Sequence, residues 1–454
     1  MNNIIVLLIL LVSSVGMAIG SNAPIELNSE CRQFIDSIEA KYQYDWLKVS
    51  EIPGASKTIS VFYYFRKTNN LKNPVIFFNG GPGSTSHGVA TDLEMNKVKT
   101  GNGGIDFIFM DQRGTGCSSP FPIGANPDSI ERLKWYGTAG IVNDAEEIRQ
   151  KLIGTRKWKI FGQSFGSYAV HRYLKMYPAS IAKAYAHGYP VGPTDFEFSF
   201  ARVASQMVIA EVYFKKYPMD RQRLFELNQY LSNSKNCFRS GTREYCGFEV
   251  LTPLVYFLAF KGSWDALHSW LQKIVPQQSI NEIGIREFIE SQKTQLFVYH
   301  GLSAIDDYYM EYSTIALNFI GVYDSNTTPI DSSKCLAIYE KMQAVYKVNL
   351  QNILLDECKA PIQFQYRDQI YSQIKARLSN QNFDFVQIED IKKSLTSYKI
   401  PFFLYSGGLD SLIPKELFIQ EVKQLGKLVN YTIFPNSGHD GFLSEKKIFQ
   451  DLAR

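Results

Sequence analysis

The sequence predicts an α/β protein: a mostly parallel, doubly wound sheet with helices on both faces, interrupted late in the chain by a large helical insertion. Three observations carry that expectation. Short apolar runs such as Val75-Ile76-Phe77-Phe78 break directly into glycine-rich loops, as strands covered on both faces do. Between such runs lie stretches with helical apolar spacing, of which Val142, Ala145, Ile148 and Leu152 are the clearest. The alternation stops near residue 191 and resumes only at Ile400.

Taken in order, the chain begins with an apolar run from Ile4 to Val12, followed by small residues at Ala18 and Gly20. This reads as a signal peptide over residues 1–20, too short for a membrane span, and no other stretch approaches spanning length. A secreted or periplasmic protein without stable membrane association is expected. Cys31 to Leu47 is mixed and partly helical in pattern. Ile59 to Phe65 is a β-type run, and Pro74 to Phe78 is a buried strand ending in Asn79-Gly80-Gly81-Pro82-Gly83-Ser84. Ile105 to Met110 leads into Asp111-Gln112-Arg113-Gly114-Thr115-Gly116. A helix over Val142–Leu152 ends at Gly154, and Trp158 to Phe161 enters Gly162-Gln163-Ser164-Phe165-Gly166. Ile181 to His187 is a further strand. The core therefore spans 21–191 and 399–454, with a mainly helical cap over 192–398, within the size range of a domain. In the second part, strands at 400–405 and 429–434 precede Asp410 and His439.

With 45% hydrophobic and 20% charged residues among 454, the composition is that of a globular protein, and a net charge of +4 without a basic run gives no support to nucleic acid as a partner, so none is expected. Six cysteines in an exported chain favour disulfides. Proximity pairs Cys237 with Cys246 and Cys335 with Cys358, and elimination leaves Cys31 with Cys117. There is no CxxC, no HExxH and no paired-histidine spacing, so the sequence offers no metal site.

Gly-x-Ser-x-Gly between a strand and a helix is the pattern of a nucleophile elbow, in which Ser164 projects from a strained turn. A serine hydroxyl needs a base, and the base needs an anion to set its tautomer. His439 and Asp410 follow later strands in the order Ser, Asp, His. Asp410 also reads as a cap for the next helix. Asp440 is the rival acid, but it adjoins His439 and would have difficulty reaching the far ring nitrogen. The amides of Gly81 and Phe165 are the candidate oxyanion hole. Asp111 and Arg113 read as a buried ionic brace of neighbouring loops. Asn326 and Asn430 begin glycosylation sequons.

Together, Gly80-Gly81-Pro82-Gly83-Ser84, Asp111-Gln112-Arg113-Gly114-Thr115-Gly116, Gly162-Gln163-Ser164-Phe165-Gly166, Asp410 and His439 closely resemble the proline iminopeptidase family of α/β hydrolases, in its larger-capped form. The resemblance covers about half of the mature chain and loosens through residues 200–270. It implies an α/β-hydrolase fold and a cofactor-free serine exopeptidase that removes an amino-terminal residue, often proline, from a peptide with a free amino terminus. Such enzymes place acidic cap side chains near the scissile bond, and Glu211, Asp306, Asp307 and Glu311 are the candidates for that role. An esterase or a di- or tripeptidyl peptidase using the same three residues is the alternative. A non-catalytic binding module is a remote third.

Overall fold

The computed structural model describes residues 27–95, 104–120, 134–240, 243–300, 332–347 and 384–454, together with Val98, Arg132, Leu354, Leu355 and Cys358. The expected signal peptide, Asn326 and three of the cap acids, Asp306, Asp307 and Glu311, lie outside them.

An eight-stranded sheet forms the core. Its strands are β1 (Tyr42–Ser50), β2 (Thr58–Arg66), β3 (Val75–Phe78), β4 (Phe107–Met110), β5 (Trp158–Gln163), β6 (Ile181–His187), β9 (Phe402–Gly407) and β10 (Val429–Phe434). The order across it is β1-β2-β4-β3-β5-β6-β9-β10. From β4 to β10 all neighbours are parallel, whereas β1–β2 and β2–β4 are antiparallel. The remaining strands, β7 (Cys237–Ser240) and β8 (Arg243–Cys246), make a separate hairpin inside the mainly helical insertion.

Helix α1 (Ser29–Ile38) supplies the helical part expected within Cys31–Leu47, and the segment then continues as β1, a strand the sequence reading did not foresee. Along this edge strand burial is discontinuous: Tyr42 and Trp46 join the core on one face and Val49 the core on the other, while Gln43 and Lys48 are exposed, so no continuous apolar run marks the strand. Along β3, Ile76 and Phe78 join the core on one face, while Val75 and Phe77 join the core on the other. The first face is covered by α3 (Thr138–Ile153), α4 (Phe165–Met176) and α11 (Ile388–Tyr398), whose buried residues include Ile148, Tyr173 and Leu395. The second face is covered in part by α14 (Lys446–Ala453) through Ile448 and Leu452.

Between β6 and β9 the chain is mainly helical. Helix α5 (Asp195–Lys216) starts at a capping box in which Thr194 and Glu197 exchange hydrogen bonds. Its far half packs with α6 (Pro218–Leu231), α7 (Thr252–Ala259), α8 (Trp264–Ile274) and α9 (Glu282–His300) around a core of its own containing Tyr213, Leu227, Leu254 and Leu271. Helix α10 (Ser332–Tyr346) packs on the near half of α5 through Ile338 and Met342 against Val203. All three disulfides pair as expected, Cys31–Cys117, Cys237–Cys246 and Cys335–Cys358.

Candidate active site

Parallel strands bring their carboxyl ends to one edge of a sheet, where ligands gather in α/β folds. Five loops converge there: after β3 the Gly80–Ser84 loop, after β5 Ser164, after β6 Gly188, after β9 Asp410, and after β10 His439.

Ser164 stands at φ 54° and ψ −125°, between β5 and α4, a left-handed conformation that a side chain tolerates only where surroundings enforce it. They do so in two ways. Its amide donates to the His187 carbonyl at 2.8 Å, and its own carbonyl accepts from Ser167 N–H at 2.8 Å. The flanking glycines let the turn close: a Cβ on Gly162 would lie 2.1 Å from the Gly166 carbonyl, and one on Gly166 would lie 2.0 Å from that of Phe78. Ser164 caps no helical amide with its hydroxyl and is only half-buried.

His439 and Asp410 meet directly. His439 Nδ1 is 2.7 Å from Asp410 Oδ2, with the two residues 4% and 2% exposed. The other carboxylate oxygen, Oδ1, accepts from the amides of Leu412 and Ile413 at 3.0 and 2.8 Å. Both sequence readings of Asp410 thus describe part of its geometry: one oxygen orders the turn before α12 (Lys415–Leu425), and the other faces the imidazole. Asp440 points elsewhere, accepting from the Gly262 amide at 3.2 Å.

The Nε2 edge of His439 faces Gln163, whose Nε2 lies 3.3 Å away, rather than the Ser164 hydroxyl. Long or absent nucleophile–base contacts are common in unliganded sites. Phe165, the first residue of α4, is buried, and Gly81 adopts φ 64° in the facing loop. The insertion reaches this site through the end of α7. Ala259 accepts from the His439 amide at 3.0 Å, Phe260 sets its ring edge-on to the imidazole at 5.5 Å, and Gly262 holds Asp440.

The expected braces exist, but Asp111 and Arg113 do not pair with each other. Asp111 accepts from the Ser86 amide and hydroxyl, both at 2.9 Å, and from the Cys117 amide at 2.9 Å, and it meets His87 Nε2 at 2.7 Å. Burial works to raise its carboxyl pKa, yet the His87 charge and these hydrogen bonds prevail and hold it low. Arg113 forks onto Asp144, with Nε at 2.8 Å from Oδ2 and a second nitrogen at 2.5 Å from Oδ1, and also donates to the Glu51 carbonyl at 2.8 Å. The donor atoms of His87, Asp111 and Cys117 lie within 4.8 Å of one another. The Cys117 sulfur is bonded to Cys31 and the Asp111 carboxylate is already occupied, which makes the group a brace rather than a set of free ligands.

Glu211 is exposed on α5 and ion-paired with Arg221 of α6, and it makes no hydrogen bond to the residues of the site. Two neighbours escaped the sequence reading. Gln163 was legible only as a variable position of the elbow. His187, at the end of β6, is fully buried with neither ring nitrogen hydrogen-bonded among the described residues. Burial outweighs the pull of Asp410 and, with the His439 charge adding to it, lowers the His187 pKa to about 4.

Residues 73–239 match the model of the α/β-hydrolase fold family, and the sheet order and the turn at Ser164 agree with it. The chain is an α/β hydrolase by fold. Its similarity within that fold runs to proline iminopeptidases: that of Aspergillus aculeatus, aneH, is 27% identical over 50% of this chain and 52% of its own. That of Aeromonas sobria is 29% identical over 38% of this chain and 42% of its own. The chain thus spans about half, or less, of the length of these curated relatives. A solved proline iminopeptidase from Mycobacterium smegmatis aligns with 90% of this chain and 96% of its own, but at 12% identity and a TM-score of 0.43 nothing further follows from it. The matched part of the chain is thus similar to proline iminopeptidases, the family that the sequence motifs also resemble.

Proposed function

We propose that this protein is a serine exopeptidase that hydrolyses the amino-terminal peptide bond of peptides with a free amino terminus, with proline as a preferred first residue. The observation that carries the reading is the 2.7 Å contact of His439 with Asp410 beside a serine held at φ 54° in a glycine-flanked elbow. In the reaction, Ser164 Oγ attacks the carbonyl carbon of the first residue while His439 Nε2 takes the hydroxyl proton. The tetrahedral oxyanion receives hydrogen bonds from the amides of Gly81 and Phe165. Collapse breaks the C–N bond, and the imidazolium gives its proton to the departing amine. Water, deprotonated by the same imidazole, then attacks the acyl-enzyme ester, and as the C–O bond to Ser164 breaks the imidazolium returns its proton to Ser164 Oγ and the free amino acid is released. Asp410 keeps a proton on Nδ1 throughout, as the neutral Nδ1–H tautomer at rest and as a partner of the imidazolium when Nε2 is protonated.

The similarity to proline iminopeptidases supports the exopeptidase reading, and the three disulfides support an oxidising compartment outside the cytosol. Residues 192–398 serve as the cap that selects peptide length and terminal residue. Digestion of a peptide library read by mass spectrometry tests the proposal. Loss of single amino-terminal residues is expected, with proline ahead of others. Release of di- or tripeptides would assign a dipeptidyl- or tripeptidyl-peptidase. Negligible amide cleavage beside fast turnover of short acyl esters would assign an esterase.

A further inference from the structure

We propose that Gln163 is a positioning residue for His439, a role that rests on the serine-hydrolase reading above. Gln163 immediately precedes Ser164, is 7% exposed, and brings its side-chain Nε2 to 3.3 Å from His439 Nε2. The opposite ring nitrogen faces a carboxylate oxygen at 2.7 Å, so the ring proton belongs on Nδ1 and Nε2 carries a lone pair. An amide N–H aimed at Nε2 suits that tautomer alone, because a proton on Nε2 would face the proton of the amide. One contact therefore fixes both the ring plane and the tautomer able to receive the Ser164 proton.

The amide is itself seated. A Cβ on Gly80 would lie 2.1 Å from Gln163 Oε1 and 3.0 Å from Ser164 Cβ, so the loop after β3 leaves a slot that this side chain fills. The other titratable groups about the ring are Asp410 on the Nδ1 side, His187 on β6, and Asp440, which is turned to the Gly262 amide. When Ser164 transfers its proton to Nε2, the amide must withdraw or present its oxygen. The Gln163 contact thus belongs to the resting site and readies the base before substrate arrives.

The test uses two variants of nearly the same shape, Gln163→Met, which cannot donate, and Gln163→Glu, which offers an acceptor. The quantity measured is the second-order rate of Ser164 labelling by a fluorophosphonate as a function of pH, with thermal melting as the check on folding. Gln163→Met is expected to label about tenfold more slowly at neutral pH. In Gln163→Glu a carboxylate facing Nε2 favours the protonated ring, so the acid limb is expected to move up by about one pH unit or more, with the rate recovering above it. A role in packing alone would lower rates without moving the limb. A Gln163→Glu profile that superimposes on that of the labelled wild type would overturn the assignment and leave the serine-hydrolase reading standing. Wild-type protein that is not labelled at Ser164 would overturn both. If Gln163→Met does not fold, the glutamate variant alone carries the decision.

Discussion

Acidification should destabilise this protein through His187, and substituting that one residue should remove the effect. The imidazole is fully buried at the end of β6, and its pKa is lowered from the ordinary 6.5 to about 4, first by burial. Because the folded state binds this proton less readily than the unfolded chain, the unfolded form gains protons first as pH falls. Stability linked to His187 is whole above pH 6.5, declines as pH falls below it, and is fully lost once pH passes about 4. At about 1.36 kcal/mol per pH unit, that interval is worth about 3 kcal/mol. Many other groups also titrate there, so the informative quantity is the difference between wild type and His187→Leu, which keeps an apolar side chain of similar size. Urea unfolding of both at pH 7.5 and pH 4 should show the gap moving by about 3 kcal/mol in favour of the variant. Curves that stay parallel would refute the burial argument, because they would mean that His187 finds a proton as readily inside as outside.

Three further outcomes follow from the site and its supports. Ser164→Ala and His439→Ala should each lower peptide turnover by several orders of magnitude without unfolding the protein, and near-normal activity in His439→Ala would remove the base assignment. Gly166→Ala places a methyl carbon 2.0 Å from the Phe78 carbonyl, and the resulting strain should cost about 1–3 kcal/mol or more, with fluorophosphonate labelling reduced as the elbow opens; a stable, fully labelled variant would contradict the close approach. Asp144→Ala leaves the buried Arg113 guanidinium without its fork partner and should cost about 3–5 kcal/mol in denaturant unfolding, whereas a loss under about 1 kcal/mol would show that the pair contributes little.

Much of this was readable in the sequence because the chemistry sits in short local words. The turn at Gly162–Gly166 and the loop after Phe78 place their glycines where chain geometry demands them, so type and spacing carry the information. Buried strands such as β3 and β4 announce themselves as unbroken apolar runs. What escaped depends on tertiary neighbours. β1 is covered only in patches on each face, and the polar residues between them hid it. The partner of Arg113 is Asp144, a residue of the helix covering that loop, and nothing in the local run of residues names it. His187 looks like any strand-terminal histidine until the fold closes over it. The orientation of Gln163 toward His439 depends on the slot at Gly80, which exists only once β3 and β5 lie side by side.

The clasp of Ala259, Phe260 and Gly262 on the His439 loop has a consequence for how this architecture can be rebuilt. His439 gives its backbone N–H to a carbonyl of the insertion and sets its imidazole against a carboxylate of the core, so the two parts are joint custodians of one residue. A foreign cap grafted for new selectivity has to reproduce that short junction at the end of α7, however different the remainder. The core stripped of its insertion would keep the sheet and the elbow but lose one of the two hands that hold the base.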